Sequence, residues 1–202
     1  VTNPGDFYSN SDKWRVPRDP AQTAQDQPVV FQSIAMPGEA EAAFSITTPF
    51  VPASNNEAGR EILRGLLAVD ADAGSEAGKP AEDYGSLRLL EYGAAAPAGP
   101  GQVLNQSQNS PVRSQNAAEQ LSLAQYITNN SGGGKTLTFG NLLTFPLEGR
   151  MFYVQPIYVQ AAAGSGSFPQ NKITVAVYGT TVAWGDTLEQ AVSGLFGQGD
   201  GS

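Results

Sequence analysis

TLTFGNLLTFPLEGRMFYVQPIYVQ, residues 136–160, carries the clearest structural signal in the chain. Leu137, Phe139, Leu143, Phe145 and Leu147 share one parity with Asn141, while Thr136, Thr138, Gly140 and Thr144 share the other. Successive side chains of a strand point to opposite faces, so a period of two with one apolar side marks a half-buried strand. Glu148-Gly149-Arg150 turns the chain, and MFYVQPIYVQ (151–160) returns as a second strand. Pro156 brings no N–H to a sheet ladder, so the return strand is expected at an edge or with a bulge.

Toward the carboxyl end, the linker AAAGSGSFP (161–169) leads to a second hairpin, KITVAVYG (172–179) then TTVAW (180–184). Asp186 is expected to cap a last helix, with Glu189 closing a capping box and Gly197 ending it before the polar tail 198–202. Toward the amino end, Ser110-Pro111 starts a segment rich in Gln, Ala, Glu and Leu that predicts a helix over 110–127, with Val112, Leu121 and Leu123 as its apolar positions. GAAAPAGPG (93–101) has no periodicity and is read as no element. SLRLLEY (86–92) reads as a strand, and ILRGLLAVD (62–70), assigned no element, ends in the acidic loop DADAGSEAGKPAED (70–83). VVFQSIAM (29–36) and AAFSITTPF (42–50) are two more strands, split by the turn pair Pro37-Gly38. In the second of them Ala43, Ser45 and Thr47 alternate with Phe44, Ile46 and Thr48, so one face is apolar. Residues 1–28 form an arm: a short helix from Asn3-Pro4 to about Lys13, then a run broken by Pro17, Pro20 and Pro28, with Trp14 and Val16 as anchors.

Composition bounds the chemistry. The chain has 202 residues, no His and no Cys, which excludes Ser-His-Asp and Cys-His triads, disulfides, iron–sulfur centres and an ordinary zinc site. Eleven Lys and Arg stand against 19 Asp and Glu, a net charge of −8, so a phosphate backbone would be repelled and nucleic acid is not an expected partner. A length of 202 residues fits one domain with a real core, and 23 Gly with 14 Pro point to short elements and many turns. No run approaches the roughly 18 apolar residues that cross a bilayer. The first residue is Val1 rather than Met, as expected of a piece of something longer or a processed product.

Four motifs invite a functional reading. SGGGKT (131–136) looks like a phosphate loop, but Asn129 stands where Gly is required and a strand follows where a helix is needed. GSGSFP (164–169) fails as a dinucleotide fingerprint because Pro169 and a strand replace the helix. The acidic loop has the first two positions of a calcium loop, so an irregular calcium site would use Asp70, Asp72, Glu82 and Asp83, against the plainer reading of a solvated loop. No other cofactor is expected. Tyr153, Tyr158, Tyr178 and Trp184, on or near strands, could form an aromatic platform for a sugar or a partner surface, with core packing as the plainer account.

The stretches MPG (36–38), FSITTPFVP (44–52), LAVDADAG (67–74), YGSLRLLEY (84–92), GPGQVLNQ (99–106), GNLLTFPLEGRMFYVQPIYVQ (140–160) and ITVAVYGTTVAWGDTLEQAVSGLFG (173–197) give the chain its likeness to known proteins. It resembles the carboxyl-terminal part of a large uncharacterised family of multi-pass bacterial membrane proteins, abundant in actinobacteria with cyanobacterial and clostridial relatives. The resemblance covers nearly the whole chain and implies location more than activity. Such proteins carry an amino-terminal bundle of membrane helices followed by a large domain outside the cytoplasmic membrane, and the family offers no catalytic motif to carry over. The segment 110–127 and the SGGGK loop depart from the pattern, being longer and richer in Ala and Gln than in relatives.

These readings together predict an α+β fold: antiparallel strand hairpins form a sheet, and helices at 110–127 and 186–196 pack on one face. The whole chain, 1–202, is expected to be a single extracytoplasmic domain, soluble by itself, of an integral membrane protein. The leading functional expectation is a non-catalytic module for assembly or interaction at the cell envelope. Its expected partners are the remainder of its own parent chain, a second copy, or envelope glycan. The competing expectation is a carboxylate-based glycan hydrolase or glycan-binding domain.

Overall fold

The computed structural model describes residues 5, 13–22, 24–53, 61–93, 96–109, 122–130, 135–160 and 168–197. Among the described residues, ten strands in two antiparallel sheets and three helices make up an α+β architecture. The chain divides into two units, residues 1–102 with 145–151 and residues 103–144 with 152–202.

The first sheet is built from β1 (Trp14–Arg15), β2 (Val30–Ile34), β3 (Ala43–Pro52), β4 (Gly65–Asp70) and β5 (Leu87–Glu91). Its order is β1-β3-β4-β5, and β2 also pairs with β3. β1 meets Val51 and Pro52 while β2 meets Ala43 to Thr47, so the two short strands follow one another along one edge of β3. The turn between β2 and β3 falls at Pro37-Gly38 as the sequence predicts: Glu39 N–H donates to Met36 O at 2.9 Å, and Gly38 has φ of +95°. Of the amino-terminal arm, Gly5 is helical, and the rest of the helix expected up to Lys13 lies outside the described residues. Trp14 tilts against Phe50 at 6.2 Å between ring centroids, and Pro17 is fully buried beyond it.

The inner face of this sheet buries Val30, Ile34, Val51, Leu66 and Ala68, and its outer face is apolar as well. Ser45, Thr47, Leu66, Ala68 and Asp70 are buried, whereas Phe31, Phe44, Leu87 and Leu89 are exposed. Register makes the two faces explicit: Val30, Thr47, Ala68 and Arg88 lie across one line of the inner face, and Phe31, Ile46, Val69 and Leu87 across the adjacent line of the outer face. The apolar parity legible in 42–50 is therefore the outward one. The hydroxyls of the two buried residues Thr47 and Ser45 are satisfied locally, since Thr47 Oγ1 accepts from Gln32 Nε2 at 3.0 Å and Ser45 Oγ donates to Ala43 O at 3.2 Å.

The second sheet contains β6 (Thr136–Phe139), β7 (Leu143–Leu147), β8 (Arg150–Gln160), β9 (Gln170–Tyr178) and β10 (Thr181–Gly185) in the order β10-β9-β8-β6, with β7 also on β8. The single strand expected over 136–147 is two strands, interrupted at 140–142. The phase shifts across the break: Leu137 and Phe139 are half-buried in β6, but Leu142 and Thr144 are the buried residues after it. Pro156 explains the interruption. In an antiparallel ladder the N–H and C=O of one residue point the same way. Gly140 N–H donates to Pro156 O at 2.8 Å, so the donor that Pro156 lacks faces the break. Gly140 is required there, because a Cβ would lie 2.7 Å from Pro156 Cγ and 2.9 Å from Tyr158 Cε2. β8 is thus a central strand with a bulge, the register slipping between Ile157 and Tyr158 against β9.

Two tight turns set the hairpins. Glu148 (φ 47°) and Gly149 (φ 76°) both occupy the left-handed region, as a two-residue type I′ loop demands, and Gly179 (φ 61°) alone does so between β9 and β10, as in type II′.

The helices are α1 (Pro100–Asn109), α2 (Leu123–Asn130) and α3 (Leu188–Phe196). The run 93–101, read as no element, ends inside α1: Pro100 occupies the first helical position that proline tolerates and Gly101 follows it in the helix. The helix expected over 110–127 is found from Leu123; residues 110–121 lie outside the described residues. α2 begins with a reciprocal box in which Ser122 Oγ accepts from Gln125 N and Gln125 Oε1 accepts from Ser122 N. α3 is capped one residue later than the sequence suggests. Thr187 Oγ1 accepts from Gln190 N at 3.2 Å, and Gln190 Oε1 takes the Asp186 N–H at 2.9 Å, so Thr187 and Gln190 perform the role expected of Asp186 and Glu189.

Candidate functional site

The acidic loop between β4 and β5 is built from its own backbone and carboxylates. Asp70, at the end of β4, is buried, and its Oδ1 accepts the Asp72 N–H at 2.9 Å; Asp72 Oδ1 in turn accepts from Gly74 N at 2.9 Å. These are the local turns that Asp favours. Gly85 N donates to Asp70 O at 2.8 Å and Asp70 N to Ser86 O at 3.0 Å, closing the loop at its base. Glu82 and Asp83 lie exposed in the turn at 82–85, and Lys79 pairs with Glu76 at 3.0 Å in solvent. Of the four residues considered for calcium, Asp70 and Asp72 are linked by this turn chemistry and Glu82 and Asp83 stand on the solvent side. Among the described residues no group of three or more acidic side chains is placed to hold a metal ion.

Arg88 is the organising charge of this region. It projects from β5 onto the inner face, where Nε meets Glu39 Oε1 and Nη1 reaches Asp70 Oδ2 at 3.4 Å. Glu39 Oε2 also accepts from Met36 N at 3.0 Å, so the turn after β2, the end of β4 and β5 are joined through one guanidinium. Neither Arg88 nor Glu39 stands out in the sequence; the signal available was a lone Arg amid the apolar residues of SLRLLEY. A second internal pair forms between Arg15 Nη2 and Glu61 Oε1 at 2.6 Å. The other Glu61 oxygen lies over the first turn of α1, where a Cβ on Gly101 would stand 2.9 Å from it, a favourable place for negative charge.

The four aromatic candidates fall on both faces of the second sheet. Tyr153 lies opposite Val177, and Trp184 opposite Val175, so these two share the face of the odd-numbered β9 residues. Tyr178 belongs to the other face, and Tyr158, on the alternate parity of β8, covers Gly140. Tyr153 is in the core. Trp184 stacks obliquely on Tyr126 of α2 at 5.1 Å, and Tyr178 meets Phe196 of α3 edge-on at 5.2 Å. Burial raises the Tyr126 phenol above its usual value, with the Asp186 carboxylate adding to the effect.

The most distinctive surface is the outer face of the first sheet. Phe31 (63 % exposed) and Leu87 (70 %) flank Ile46 and Val69 across four strands, and Phe44 and Leu89 extend the patch on the neighbouring lines. Phe31 and Phe44 stack at 6.4 Å with 26° between their planes. Single exposed apolar residues are ordinary, but a contiguous apolar sheet face marks an interaction surface. Tyr92, just after β5 and on the parity of Arg88, donates its hydroxyl to Met151 Sδ at 2.6 Å, and burial pushes its pKa up to about 12.

The sequence has relatives. The model of an uncharacterised protein family (UPF0182) matches residues 1–120. A UPF0182 protein of Leifsonia xyli subsp. xyli is 42% identical over 207 residues, covering 100% of this chain and 20% of the relative. A UPF0182 protein of Kineococcus radiotolerans is 39% identical over 100% of the chain and 20% of its own length, and one of Bifidobacterium longum is 37% identical over 100% and 18%. The chain therefore spans about a fifth of the length of the curated relatives it matches. No solved structure matches it. Among the described residues no helix is long and apolar enough to cross a membrane.

Proposed function

The chain belongs to the uncharacterised protein family UPF0182, and from that premise we propose that it is a non-catalytic module of a longer membrane-anchored polypeptide. It lies in the carboxyl-terminal part of that polypeptide, outside the cytoplasmic membrane, and serves assembly at the cell envelope. Its first partner is the remainder of its own parent chain.

The observation that carries this reading is the employment of the partly and fully buried carboxylates. Asp70 and Glu39 are held by Arg88, Glu61 by Arg15 and the start of α1, and buried Asp19 accepts the Ala21 N–H within its own turn. A carboxylate-based hydrolase needs two such groups facing a substrate about 5 to 9 Å apart, one of them kept protonated. Here the carboxylates serve the fold. The module's contribution is correspondingly a surface to offer.

The test is complementation in trans. The chain of 202 residues, tagged, is expressed in a cell that makes the parent polypeptide without this segment, and the membrane fraction is solubilised and pulled down. Recovery of the truncated parent with the chain is expected. Chain recovered alone, together with release of soluble fragments from purified envelope glycan, would overturn the reading in favour of an enzyme.

A further inference from the structure

We infer that the outer face of the first sheet, centred on Phe31, Phe44, Ile46, Val69, Leu87 and Leu89, is the seat on which an apolar surface from the remainder of the same polypeptide packs. The inference deepens the assembly role proposed above and rests on it. Three observations carry it.

First, the sheet is apolar on both faces. The inner face buries Val30, Ile34, Val51, Leu66 and Ala68 beside Ser45, Thr47, Asp70 and Arg88, each of these four with a hydrogen-bond or ion-pair partner, while the outer face holds two stacked Phe rings and a line of aliphatic side chains. A free-standing antiparallel sheet puts its apolar parity inward and its polar parity in water. A sheet buried on both sides carries apolar residues on the outer face as well, and this one has the composition of the second kind with the exposure of the first. Second, about four-fifths of the length of the matched relatives lies outside this chain, which supplies an occupant in the same molecule at high effective concentration. Third, charge disfavours the alternatives. The net charge of −8 opposes face-to-face pairing of two copies and adsorption to an anionic lipid surface, and the four strands of the patch place no Lys or Arg on their outward parity. β5 is in addition an edge strand whose exposed residues are Leu87, Leu89 and Glu91, an apolar edge of the sort that proteins otherwise protect.

The chain has no Cys, so an introduced thiol is a clean reporter within it. Leu87→Cys and, separately, Phe31→Cys are placed in the chain of 202 residues and in the full-length parent in detergent, with native parent cysteines replaced. Glu76→Cys in the exposed acidic loop serves as the control. Labelling by a charged maleimide is followed by mass. The expected result is rapid labelling at positions 87 and 31 in the isolated chain and labelling slowed about tenfold or more in the parent, with the control equally fast in both. Equal rates in both contexts at positions 87 and 31 would overturn the inference. So would protection already present in the isolated chain, which, if lost on dilution, would identify a second copy as the occupant and, if independent of concentration, a segment of the chain itself. If the chain pulls down the truncated parent while positions 87 and 31 remain open, the assembly role survives and this surface falls. Protection without pull-down would show the contact to be real but too weak to act in trans.

Discussion

The two sheets use opposite strategies with the same hairpin building blocks. In β9 the consecutive residues Ile173 to Val177 are all buried, so both faces of the second sheet are shielded at its centre. α3 covers one of them: a Cβ on Gly194 would come within 2.9 Å of Ala183 Cβ, and Phe196 reaches Tyr178. On the other face Tyr126 of α2 meets Trp184. The first sheet instead buries alternate residues, and its open face is apolar as well as its buried one. A strand shielded on both sides reads as a continuous apolar run and one shielded on a single side reads as an alternation. Alternation therefore reports how many faces are shielded, while polarity alone does not report which.

Cutting matched side chains puts this contrast under the greatest strain. Ile173→Ala is expected to cost about 2–5 kcal/mol, because removing a buried propyl-sized group leaves a cavity, whereas Leu87→Ala on the isolated chain should stay within about 0.5 kcal/mol. Urea unfolding of the two variants checks this, and a large loss at Leu87 would mean that its face is already covered within the chain. Arg88→Met comes next, at about 2–3 kcal/mol. It leaves Asp70 buried without its cation, and the loss is smaller than for a fully buried pair because the Arg88 side chain keeps 29% exposure. The double variant Arg88→Met with Asp70→Asn should lose less than Arg88→Met alone, and strict additivity in the cycle would remove Arg88 from its organising role.

A smaller effect separates the hairpin turns from the acidic loop. Gly149→Ala is expected to destabilise by about 1 kcal/mol, since its φ of 76° is one that an L side chain resists, while Gly78→Ala, also at positive φ (80°) but in the acidic loop, should lower stability without slowing the formation of either sheet. Stopped-flow folding of the two variants distinguishes them.

The smallest effect is a titration. Tyr92 in the first unit ionises near 12 in the folded chain and near 10 when unfolded, so unfolding releases its proton more readily once pH exceeds 10. Its contribution is present below pH 10 and lost as pH rises through about 12. Tyr126 in the second unit shifts the same way, with Asp186 contributing, so Asp186→Asn should lower the Tyr126 transition and leave that of Tyr92 in place. Absorbance titration of the phenolates in Tyr92→Phe and Tyr126→Phe backgrounds assigns each.

Much was legible before the structure. The hairpins read over 136–160 and 172–184, the strands β2, β3 and β5 and the final helix follow from alternation, turn residues and capping chemistry, all of which act within a few residues of one another, whereas β4 has no strand reading in ILRGLLAVD. α1 was not legible, because a helix that starts within GAAAPAGPG and is rich in Gln announces itself only through Pro100 and a buried Val103. The cap of α3 shifted by one residue because Asp186 and Thr187 are both good caps, and the Gln190 side chain decided between them.

The class of fold, the exclusion of His- and Cys-based chemistry and the existence of an apolar parity in β3 are settled by the chain's residues alone, since composition and period need no tertiary contact. That this parity faces outward, that Arg88 ties Glu39 to Asp70, and that β6 and β7 break opposite Pro156 emerge only once the strands are assembled. Those outcomes depend on which strands pair and in what register. A shift of one residue exchanges the faces of a strand, and nothing local in the sequence encodes that choice.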